Sequence, residues 1–69
     1  MPNKTYKIIE LVGTSDVSIS QAVENAYRKA SETIKNLRWF EVVETRGYFE
    51  DGKPHFQVTM KVGFRLEGD

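Results

Sequence analysis

From His55 to Glu67 the chain alternates apolar and polar side chains without a break. Phe56, Val58, Met60, Val62, Phe64 and Leu66 form one set; His55, Gln57, Thr59, Lys61, Arg65 and Glu67 form the other. A period of two is a strand with one apolar and one polar face. At about 3.3 Å per residue, such a strand is roughly 40 Å long. A compact domain of 69 residues has a radius of gyration of only about 11 Å. The strands must therefore curl around what packs on them or project into a neighbour. A chain this small removes only about 60% of its surface from water on folding. Such domains ordinarily gain stability from disulfides, a metal or oligomerisation. The absence of cysteine removes the first and most of the second, so oligomerisation is the leading expectation.

The rest of the chain supplies the partners of that strand. Tyr6, Ile8, Ile9 and Val12 mark a strand from Thr5 to Val12, which Gly13-Thr14-Ser15-Asp16 breaks. From Ser18 the period changes. Ile19, Ala22, Val23, Ala26, Tyr27, Ala30, Ile34 and Leu37 recur at helical spacing and form one stripe on one helix. Ser18 with Gln21 is a capping-box signature, and Glu24, Arg28 and Glu32 occupy the solvated side. The small alanines imply close approach of helix to sheet. Strand character returns from Trp39 to about Phe49, Asp51-Gly52 signals a hairpin turn, and Pro54 suits a strand end or edge. Gly47 and Gly63 are candidate bend points. The expected class is α+β, in the order β-α-β-β: a three-stranded antiparallel sheet curled around one helix.

One helix covers one face of a sheet, yet the first two strands are apolar on both. Ile8 and Val12 face opposite to Ile9 and Leu11, while Phe40 and Val42 face opposite to Trp39, Val43 and Phe49. An exposed patch of that size is a liability in a monomer, so the second face is expected to be buried against other copies of the chain. Ten basic residues balance ten acidic ones, which leaves no cationic surplus for a nucleic-acid partner. No apolar run reaches the roughly 20 residues that span a bilayer. The stretch Met1-Pro2-Asn3-Lys4-Thr5-Tyr6 lacks the apolar core of a signal peptide. The expected location is the cytoplasm, with no membrane partner.

Enzymatic constellations are nearly absent. The single histidine, His55, stands beside the hairpin turn, and nothing in the spacing joins it to Ser15 and Asp16. Metal ligands are too few for a transition-metal site. Gly13-Thr14-Ser15 could offer backbone N–H groups to a phosphate but lacks the length and lysine of a P-loop, and reads as a turn leading into the helix. Trp39 projects to the face assigned to the assembly, where an indole is either interface packing or a stacking platform for a flat ligand. Gln57, on the polar face of the last strand, carries both a donor and an acceptor and can read the edge of a pyrimidine-like ring. A solvated glutamine is the alternative. Arg46 offers a guanidinium to a phosphate or an anionic ring edge.

Together these residues resemble the dodecins, small flavin-binding proteins. The resemblance runs nearly end to end: Tyr6 to Ser15 (YKIIELVGTS), Trp39 to Val42 (WFEV), Arg46-Gly47, and Phe56 to Glu67 (FQVTMKVGFRLE). It implies that residues 1–69 form a single dodecin-like flavin-binding domain. It also implies a hollow homododecamer that stores and sequesters a flavin, FMN or riboflavin, without being an enzyme. By position, Trp39 is the stacking residue, Gln57 the partner of the flavin's pyrimidine edge and Arg46 a further contact. Some bacterial members bind coenzyme A, for which Arg65, Tyr6 and Lys4 are the matching positions. Arg38 departs from the acidic residue common before the tryptophan, and either favours a phosphorylated ligand or faces solvent. The alternative is a structural or protein-interaction module that uses the second sheet face, anchored by Trp39, with no flavin.

Overall fold

A computed structural model describes residues 3–67; Met1 and Pro2 of the N-terminal stretch read above lie outside the described residues. Its elements are β1 (Tyr6–Ser15), α1 (Ile19–Ala30), β2 (Leu37–Glu50) and β3 (Lys53–Arg65). The order is β-α-β-β, and the three strands form one antiparallel sheet in the order β1-β3-β2. The strictly alternating strand, β3, is the central one. Asp51 and Gly52 both have positive φ, 55° and 74°, as a two-residue turn matched to strand twist requires. Pro54 falls on the central strand, yet the pairing of β1 with β3 stops at Ser15 and Phe56. Pro54 thus has a sheet neighbour on one side only, where its missing N–H is harmless.

The helix packs on β1 and β3. Ala22, Ala26, Val58, Met60 and Val62 form the buried cluster, with Ile9, Leu11, Val23 and Leu37 partly buried around it. Ala22 comes so close that a Cβ at Gly13 would collide with its carbonyl oxygen. Two sequence expectations change here. Gly13 does not break the first strand: it pairs with Val58, and β1 continues to Ser15. The helix does not extend to Leu37. It ends at Ala30 with Ser31 as cap, and the following N–H groups of Glu32 and Thr33 turn back to Lys29 and Ala30 in tightened bonds of 3.3 and 3.2 Å. Asn36, at φ 67°, then redirects the chain. Leu37 opens β2 opposite Phe64, so its apolar character reports burial rather than helix.

At the other helix end, Ser18 Oγ accepts from the Gln21 N–H at 3.0 Å, but the Gln21 amide donates to Asn25 Oδ1 at 2.9 Å instead of reaching back. Half of the capping box is formed. Asn25 in turn donates to the Thr14 carbonyl at 3.0 Å, tying helix to strand. Arg28 pairs with Glu24 at 3.7 Å, whereas Glu32 pairs with Lys29.

Register shifts in β2 between Leu37 and Trp39 and between Val42 and Glu44 leave Arg38 and Val43 as extra residues. Phe40 and Val42 lie opposite Val62 and Met60, hence on the helix face as expected, but remain exposed because the helix sits over β1 and β3. The extra residue at Val43 also reverses the parity beyond it. Phe49, expected beside Trp39, lies opposite Pro54 and so on the helix face. The hairpin end projects as an arm. The Cα radius of gyration is 14.2 Å and the longest extent 53 Å. The accessible surface is 5116 Å², against about 4,450 Å² for a compact monomer of this mass.

Candidate functional site

The sheet face turned away from the helix, the open face, is built by strand register. Tyr6 lies opposite Arg65, and Ile8 and Trp39 flank Gly63 from the two sides. Glu10, Lys61 and Glu41 form the next row, then Val12, Thr59 and Glu44, then Thr14, Gln57 and Arg46, and last His55 with Tyr48. A strand alternating by two would put Arg46 and Trp39 on opposite faces. The extra residue at Val43 brings them to the same one, which sequence periodicity could not disclose.

Trp39 is seated by what Gly63 lacks. A Cβ at Gly63 would collide with indole atoms Cζ2, Cε2 and Cη2 together, so the six-membered ring lies over the glycine. The Tyr6 ring meets the indole edge-on, with centroids 5.1 Å apart and planes at 67°. One side of the indole is thus held by backbone and tyrosine, while 43% of the residue stays exposed. Of the residues matched above to coenzyme A, Tyr6 touches Trp39, and Arg65 is the cross-strand partner of Tyr6. Lys4 is exposed and lies just before β1.

Gln57 and Arg46 are direct cross-strand partners. They share the face of Trp39 but not its neighbourhood. Gln57 and Gly63 are six positions apart on β3, roughly 20 Å. One chain therefore presents two separate clusters: an aromatic seat at one end of the open face, and an amide–guanidinium pair at the other. Beside that pair the rings of Tyr48 and His55 stack in parallel, 5.1 Å apart, a contact with no signal in the sequence pattern. The Gly13-Thr14-Ser15 segment has no free cradle. Ser15 Oγ accepts from the Val17 and Ser18 N–H groups at 2.9 and 3.3 Å, and Ser18 occupies that of Gln21. Among the described residues no group of three or more His, Cys, Asp or Glu could hold a metal ion, and no helix is long and apolar enough to cross a membrane.

A short β-α-β-β chain with one helix-covered face and one open aromatic face defines a narrow class. The dodecin family model matches residues 5–67, and the chain belongs to the dodecin family. It is 48% identical over 65 residues to the dodecin of Thermus thermophilus, covering 93% of this chain and 94% of that one. The solved dodecin of Streptomyces davaonensis superposes with a TM-score of 0.88 at 55% identity, covering 94% and 97% of the two chains. The calcium dodecin of Mycobacterium tuberculosis is 29% identical over 62 residues, covering 88% and 87%.

Proposed function

We propose that this chain binds a flavin, FMN or riboflavin, between subunits of a hollow homododecamer, and stores and sequesters it in the cytoplasm without catalysing its turnover. The observation that carries the reading is the seated, half-exposed indole of Trp39 over Gly63. Its free face suits a flat ring system. A bound flavin supplies a redox-active three-ring plane with a hydrogen-bonding pyrimidine edge. The residues present fit that group: Trp39 stacks, Gln57 donates and accepts at the edge, and Arg46 meets an anionic edge or phosphate. Roughly 20 Å along β3 is longer than a three-ring plane, so Trp39 and Gln57 serve one ligand only if they come from different copies of the chain. Arg65, Tyr6 and Lys4 are the proposed coenzyme A contacts. Because Tyr6 touches Trp39, coenzyme A at that position alters flavin binding.

An absorption spectrum of the purified protein, with mass spectrometry of the released ligand, tests the reading. The expected result is a flavin spectrum, or one regained on adding FMN. A colourless protein that leaves added FMN unchanged would favour the interaction-module alternative.

A further inference from the structure

Four side chains at the hairpin end of the open face form a block of two rows. Arg46 faces Gln57 across the strands, and Tyr48 faces His55 one row nearer the turn, roughly 7 Å further along β3. Among the described residues no hydrogen bond or ion pair engages the side chain of Arg46, Gln57 or His55. His55 is half-buried, and its imidazole lies parallel to the Tyr48 ring, with planes at 9° and centroids 5.1 Å apart. The stack covers one face of the imidazole and leaves its edge, which carries both nitrogens, to a ligand. An imidazole offers at least one N–H donor in either charge state. Charge gives the open face a direction. From Gln57 toward Trp39 the next rows carry Glu44, then Glu10 and Glu41 on either side of Lys61: three carboxylates against one ammonium. Around the block, Arg46 and Lys53 balance Glu50 and Asp16; Lys53 faces Glu50 and reaches Asp16 at 3.9 Å. An anionic group attached to a ring at Gln57 is repelled by the middle of the face and not by its hairpin end.

We propose that His55, held by Tyr48, is the residue that selects the phosphorylated flavin, FMN, over riboflavin. With the pyrimidine edge on Gln57, the ribityl chain runs toward the turn and spans the single row to His55. There the imidazole N–H donates to the phosphate, beside the unpaired guanidinium of Arg46. Riboflavin ends in a neutral hydroxyl at that point, and a hydrogen bond to a charged group is the stronger of the two. The proposal rests on the flavin reading above and adds which form of the flavin the chain keeps. Tyr48 is a positioning residue in it: it fixes the plane of the imidazole and touches no ligand atom.

Fluorescence titrations of the full chain with FMN and with riboflavin test the proposal. Wild type should bind FMN at least about tenfold more tightly than riboflavin, the effect of a hydrogen bond to a charged group. His55→Phe leaves a flat ring for Tyr48 but no nitrogen. With its circular dichroism kept, its riboflavin affinity should stay within about twofold of wild type while its preference for FMN falls about tenfold. A second measurement needs no variant. Raising salt to about 1 M, where charges are screened beyond about 3 Å, should weaken FMN binding by wild type and leave riboflavin binding unchanged. Equal affinity of wild type for the two flavins, equal weakening of both by His55→Phe, an undiminished FMN preference in that variant, or a salt-independent FMN affinity would each overturn the proposal with flavin binding intact. A wild-type chain that quenches neither flavin would overturn the flavin reading itself, and the proposal with it.

Discussion

The two faces of the sheet carry unequal amounts of apolar side chain and meet different fates. On the helix face, Val58, Met60 and Val62 are sealed by Ala22 and Ala26 of the same chain. On the open face, Ile8, Val12 and Trp39 are 55%, 61% and 43% exposed, and no element among the described residues covers them. The first face holds the buried core, although Phe40, Val42 and Phe49 on that face stay exposed beyond the reach of the helix. The second carries apolar side chains that the described residues leave open to solvent, the surface to which the proposed reading assigns ligand and neighbouring copies. The buried cluster thus lies on one side of the three-stranded sheet, and the exposed aromatic cluster around Trp39 on the other.

Substitutions should separate the two faces. The largest loss of stability is expected at Met60, 1% exposed: Met60→Ala should cost about 2–5 kcal/mol by cavity creation, read as a lowered denaturation midpoint whether or not ligand is present. Gly13→Val should cost about 1–3 kcal/mol by forcing the helix off β1, measured the same way. On the open face the order reverses. Gly63→Ala displaces the indole, so FMN affinity should fall further than thermal stability does. Gln57→Ala removes one hydrogen-bonding group, worth about 1 kcal/mol, and isothermal titration should show a several-fold weaker FMN Kd with an unchanged melting temperature. The smallest effect belongs to neither face. Glu24→Gln breaks an exposed ion pair with Arg28 and should change stability by less than about 0.5 kcal/mol.

Much of the helix face was legible in the sequence, because burial imposes periodicity. The alternation of β3 marked Val58, Met60 and Val62, the alanine stripe marked the contact side of α1, and Asp51-Gly52 marked the turn. The misplaced elements are those governed by single backbone conformations. Nothing in residue type alone ends the helix at Ala30: the tightened turn after it does so, and the left-handed Asn36 then redirects the chain, while Ile34 and Leu37 keep the apolar period running. Gly13 resembled a breaker because its role, room for Ala22, is tertiary. The extra residues at Arg38 and Val43 are invisible to period counting, and they decide that Arg46 shares a face with Trp39 and that Phe49 does not. Of the candidate site, Trp39, Gln57 and Arg46 could be named from residue chemistry and resemblance. Their separation to opposite ends of one face required the register.

The most direct measurement is a fluorescence titration of FMN with the wild-type chain and with Trp39→Ala, each first shown by light scattering to have the same assembled mass. Quenching by the wild type is expected to saturate. The variant should bind about 5- to 150-fold more weakly, as the loss of about 1–3 kcal/mol of ring stacking implies. Equal quenching and affinity in the two proteins, or none in either, would contradict the assignment of the open face to a stacked flavin.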